Sequence, residues 1–116
     1  VADGQGGQPG GGVAARWACE WAAAATNHGQ RWQDGLEYAD RVVAKAPDAG
    51  FTTLVGFHVL ENRVSGASCG DSAVLTVCGS GTVTELTRLQ YKNPPVGSGE
   101  AVFMPFEVEL VRPWRV

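Results

Sequence analysis

The feature that most constrains this chain is a change of period at Pro47. Before it, apolar residues recur every three or four positions. After it, short β-branched and aromatic runs alternate with turns of two or three residues. Residues 13–28 are rich in alanine, the strongest helix former, and Val13, Trp17 and Trp21 recur at i, i+4 on one face. Gly29 suits a helix C-cap. Residues 31–46 repeat the pattern with Trp32, Leu36, Ala39 and Val43, interrupted only by Gly35, and Pro47 closes the segment. Two helices are therefore expected, each with one apolar stripe. The first stripe is expected to lie on the strand that follows.

Beyond Pro47 the chain reads as an antiparallel meander. Residues 51–60 form the most apolar run, and Glu61-Asn62 turns it into residues 63–69. Residues 73–78 and 82–86 flank the turn Gly79-Ser80-Gly81. Residues 87–99 read as a loop around Asn93-Pro94-Pro95, and two short strands are expected at 101–103 and 107–111. Helices followed by a run of strands indicate an α+β fold, with helices packed on an antiparallel sheet. Two helices cover one face of such a sheet, and no further element here covers the other. Val1-Ala2-Asp3 reads as the end of a strand and residues 112–116 as the approach to another, so the chain reads as the central part of a domain cut at both ends.

Composition narrows the function. Of the 116 residues 44% are hydrophobic, which suits a packed core rather than disorder. No apolar run approaches the roughly 20 residues of a membrane span, and with no basic stretch leading into an apolar one at the start, no signal peptide is expected. A soluble, cytoplasmic protein with no membrane partner is expected. The net charge of −3, without a basic block, argues against a nucleic-acid partner. Cys19, Cys69 and Cys78 lack metal-type spacing and are expected to be reduced and mostly buried. Glu37 and Asp40 are expected on the solvated side of the second helix, His28 at a helix end and His58 as a packed or edge histidine.

Two short motifs carry chemistry. Residues 1–12 are half glycine and read either as a flexible linker or as a strand end turning tightly into a helix. The second reading places Asp3 beside backbone that a ligand can approach closely. Gly70-Asp71-Ser72 likewise places a carboxylate beside a permissive turn. Carboxylates and exposed carbonyls are the ligands that Mg²⁺ and Mn²⁺ prefer. Each motif alone is also ordinary turn chemistry.

In order along the chain stand Val-Ala-Asp-Gly-x-Gly-Gly, an alanine-rich helix, a second helix, Gly-Phe-Thr-Thr at 50–53, a hairpin and Gly-Asp-Ser at 70–72. This order resembles the metal-dependent protein phosphatases, the type 2C family. The resemblance implies a partial four-layer sandwich of antiparallel sheets flanked by helices. It implies hydrolysis of phosphoserine or phosphothreonine, with a phosphorylated protein as substrate and partner. It further implies Asp3 as a bridging ligand of two Mg²⁺ or Mn²⁺ ions, the Gly4 carbonyl as a further ligand, and Asp71 at a third, weaker ion site. Thr52 and Thr53 match a threonine pair taken as structural. Gln5 and Gln8 stand where many relatives carry Met or His, so a histidine proposed as general acid is missing; Ala73 stands where many carry Arg. The family's phosphate-binding Arg and its remaining acidic ligands have no counterpart in these residues. The alternative is a non-catalytic relative that binds phosphoprotein or regulates a partner.

Overall fold

The computed structural model describes residues 1–27 and 31–116. His28 and Gly29, and with them the expected C-cap, lie outside the described residues. Two α-helices come first, α1 (Gly11–Asn27) and α2 (Trp32–Lys45). Six strands follow: β1 (Leu54–Leu60), β2 (Arg63–Cys69), β3 (Leu75–Cys78), β4 (Val83–Glu85), β5 (Met104–Glu109) and β6 (Trp114–Arg115). They form two antiparallel sheets, with orders β1-β2-β5 and β4-β3-β6. The fold is α+β, as the period change requires. No helix among the described residues is long and apolar enough to cross a membrane.

The first sheet is in register from Leu54↔Cys69 to Leu60↔Arg63, and from Arg63↔Glu109 to Ser68↔Met104. Two expected strands near the C-terminus become one. Ala101 and Phe103 are buried loop residues, and β5 runs through 104–109 with Pro105 opposite Ala67. Proline lacks a ladder donor but is tolerated because β5 is an edge strand. Strand β1 starts at Leu54 rather than 51, because residues 51–53 pair with two other segments instead.

The core lies between the helices and the first sheet. Leu36, Ala39 and Val43 of α2 meet Leu54, Ala67, Cys69, Val96 and Phe103, with Trp32 half-buried beside them. The α2 stripe is thus the one its periodicity indicates. The α1 stripe is not. Ala14, Ala18, Ala22 and Ala25 are buried, whereas Val13 is half-buried and Trp21 is 37% exposed, edge-on to Tyr38 at 5.9 Å. Trp17 packs only at the core margin. α1 lies chiefly on α2 and touches β1 secondarily. Close helix approach selects small residues over apolar ones: a Cβ on Gly35 of α2 would lie 3.3 Å from the Ala25 Cβ. Gly35 therefore serves the crossing, at the roughly 1 kcal/mol that a helical glycine loses against alanine.

The glycine-rich N-terminus is a packed junction, not a linker. A Cβ at Gly4 would collide with the backbone of Gly11, and one at Gly10 with Asp48 and Gly50. Gly10 also has φ +85°, and its carbonyl accepts from the amides of Ala14 and Gly50 at 2.9 and 3.0 Å. Gly12, by contrast, has open space around its missing side chain. Gly10→Ala is expected to destabilise the fold by about 2–4 kcal/mol, combining overpacking with left-handed strain. Gly12→Ala is expected to stabilise it by up to about 1 kcal/mol. Urea unfolding midpoints of the two variants check both.

Candidate functional site

The site is built on residues 1–5, which run antiparallel to 51–55. The Val1 ammonium donates to the Val55 carbonyl at 2.8 Å, and the Val55 amide donates back at 2.9 Å. The Thr53 amide donates to the Asp3 carbonyl at 3.0 Å, and the Gln5 amide to the Phe51 carbonyl at 2.9 Å. Asp3 thus ends an extended segment, and Gly4 begins the turn into α1.

Thr53 does a second job. Its hydroxyl accepts from the Asp3 amide at 3.0 Å and meets the Ser72 hydroxyl at 2.6 Å, where either oxygen can donate. One side chain therefore ties the Asp3 segment to the turn carrying Asp71. Gly70 makes that approach possible. It has φ +123°, and a Cβ there would come within 2.6 Å of the Thr53 Cβ. Asp3, Gly4 and Asp71 consequently line one cleft of about 320 Å³, with Gln5, Lys92 and Asn93. The two sequence motifs, distant along the chain, thus line the same cleft. Thr53 and Ser72 act as the connectors. Adjacent threonines were visible in the sequence, but the pairing with Ser72 across 19 residues was not.

The far wall of the cleft is clamped to the Asp71 turn. The Gly70 amide donates to the Tyr91 carbonyl at 2.8 Å, and the Gln90 side-chain amide to the Ser72 carbonyl at 2.9 Å. Lys92 Nζ stands 3.7 Å from Asp71 Oδ2, with both side chains largely in solvent. All donors offered by Asp3, Gly4 and Asp71 are hard oxygens, which suits Mg²⁺ or Mn²⁺. They are few. Among the described residues no three of His, Cys, Asp or Glu gather into a metal-binding group.

Asp40 corrects the sequence reading. It is 2% exposed, not solvated. Its carboxylate accepts from the amides of Gly97 at 2.7 Å, Gly99 at 3.2 Å and Ala101 at 3.1 Å. A charged acceptor satisfied by three backbone donors is stable when buried, and it fixes the loop that closes over the core. Glu37 is half-buried. The cysteines also depart from expectation: Cys69 alone is buried, Cys78 is half-buried and Cys19 is exposed, all three free.

The Cys69 thiol lies 3.4 Å from the Tyr91 carbonyl and 3.6 Å from the Pro94 carbonyl, either of which can accept its single proton. Burial pushes this thiol up to about 11, the Asp40 carboxylate adds to the rise, and a hydrogen bond with the Val102 backbone offsets part of it. A folded value above the ordinary 9.0 means that the folded state holds the proton more tightly than the unfolded chain. The stability linked to this proton is complete below pH 9 and is lost as pH rises toward 11. Unfolding midpoints are expected to fall across that window in the parent and to fall less in Cys69→Ala. Calorimetry at three pH values checks this.

A second cluster looks catalytic and is not. His58, on edge strand β1, is exposed and stacks on Trp32 at 6.1 Å. Its Nε2 lies 3.0 Å from the Ser65 hydroxyl. Its Nδ1, however, accepts the Trp32 indole N–H at 2.7 Å. An indole nitrogen only donates, so neutral His58 carries its proton on Nε2 and donates to Ser65. It cannot take the serine proton as a nucleophile's base must.

No family model matches the chain, and no curated protein matches it. Solved structures do, and two of them are informative. One, described as "PppA, a key regulatory component of T6SS in Pseudomonas aeruginosa", superposes with a TM-score of 0.72 at 15% identity, over 98% of this chain and 61% of that one. The other, the Mycobacterium tuberculosis serine/threonine phosphatase PstP/Ppp, gives 0.64 at 19% identity, over 97% of this chain and 63% of that one. The chain therefore shares the fold of a serine/threonine phosphatase, in agreement with the resemblance to metal-dependent protein phosphatases, and spans about three-fifths of each neighbour's length.

Proposed function

We propose that this chain is the central part of a metal-dependent phosphatase domain that hydrolyses phosphoserine or phosphothreonine in proteins. One observation carries the reading. Thr53 and Ser72 bring Asp3 and Asp71 into a single oxygen-lined cleft, on a fold shared with a serine/threonine phosphatase.

In this reading Asp3 and the Gly4 carbonyl hold part of a pair of Mg²⁺ or Mn²⁺ ions, and Asp71 part of a third, weaker site. When bound, such ions would supply Lewis acidity and activate water for displacement at phosphorus. The residues of this chain position and neutralise. The Asp3 backbone is locked to Thr53 on both its amide and its carbonyl, so the carboxylate is presented from a fixed segment. Gly4 leaves its own backbone uncovered toward the cleft. Gln5 lines the cleft where a histidine could act as general acid; an amide cannot donate a proton in that way.

Gln5 also favours a second reading, a non-catalytic relative that binds phosphoprotein. One experiment separates the two. These 116 residues alone are expected to show no turnover of a phosphothreonine peptide with Mn²⁺, because their donors leave each ion mostly hydrated. A complete domain containing them is expected to be active, and Asp3→Asn in it is expected to lower Mn²⁺-dependent hydrolysis at least about a hundredfold. An inactive complete domain that still binds the phosphopeptide establishes the second reading. Full activity of Asp3→Asn refutes the role given to Asp3.

A further inference from the structure

We propose that Lys92 is a built-in counter-ion of Asp71, which a divalent cation must displace, and that it sets how weakly the Asp71 side of the cleft binds metal. The inference rests on the metal-site reading above. Two observations carry it. The first is the ion pair itself, 3.7 Å from Lys92 Nζ to Asp71 Oδ2. The second is that the backbone brings the two residues together. The bonds from Gly70 to Tyr91 and from Gln90 to Ser72 hold the chain on either side of Asp71 against the residues that lead into Lys92, so the two side chains leave the backbone as neighbours.

The charges in the cleft are few enough to assign. Asp3, Asp71 and Lys92 are its only charged lining residues among those described. Asp3 has no cationic partner there, while Asp71 does. A cation arriving at Asp3 meets an uncompensated carboxylate. One arriving at Asp71 must break an ion pair and then stand beside the released ammonium. The same fold can thus make one oxygen site stronger than its neighbour without changing the ligand type. Displacement also frees Lys92 at the rim of the cleft, where an anionic group on a substrate would meet it.

The test titrates the complete domain with Mn²⁺ alone. Free ion is followed by electron paramagnetic resonance, and occupancy near residues 70–72 by broadening of their amide resonances. Exposed ion pairs are worth little, so the expected gain is modest: Lys92→Met tightens the Asp71-dependent binding about two- to fivefold. Lys92→Arg keeps the parental affinity. The gain disappears when Asp71→Asn is combined with Lys92→Met, and it shrinks at 1 M salt, where screening acts over about 3 Å. Equal or weaker Mn²⁺ binding by Lys92→Met, with binding still lost in Asp71→Asn, overturns the role of Lys92 and leaves the metal site standing. Mn²⁺ binding that no Asp71 or Asp3 substitution alters overturns both.

Discussion

The whole arrangement depends on three stretches of backbone that meet with no side chain between them. Residues 4–11, 48–50 and 97 approach so closely that a Cβ at Gly4, Gly10, Gly50 or Gly97 would strike main-chain atoms. This contact converts a glycine-rich segment into a rigid corner. It sets where α1 begins, and so where the helical layer lies over the sheet. It also sets where Asp3 ends its extended run. Core packing and cleft geometry therefore share one origin: the corner that seats the alanine face of α1 against α2 also aims the Asp3 segment at the turn holding Asp71.

Polar groups then divide the labour by burial. Asp40 is enclosed and accepts from three amides, so its charge serves to hold the 97–101 loop. Asp3 and Asp71 are exposed in the cleft, with oxygen atoms left for other partners. Both kinds of carboxylate come from the same residue type. Their different fates follow from how many backbone donors the surrounding chain aims at them.

Much of this was legible in the residues. The period change at Pro47 indicates the class of fold, and the α2 stripe, the β2 limits and the turn at Glu61-Asn62 match the structure closely. The Asp-Gly and Gly-Asp-Ser turns point to the cleft. What was illegible depends on distance between segments. Ranking by apolarity selects Trp17 and Trp21, but the inter-helix spacing selects alanine. Asp40 reads as a surface acid until its three amide donors, some 60 residues later in the chain, fold against it. The link from Thr53 to Ser72 likewise has no local signature.

The edges of the first sheet differ in a way that bears on self-association. Strand β5 presents Pro105 with Glu107 and Glu109 along an edge. A missing amide and repeated negative charge discourage another strand from docking there. The opposite edge instead accepts backbone: residues 1–5 pair along it up to Val55. The two flanks thus divide their roles, one turning further strands away and the other admitting the segment that carries Asp3.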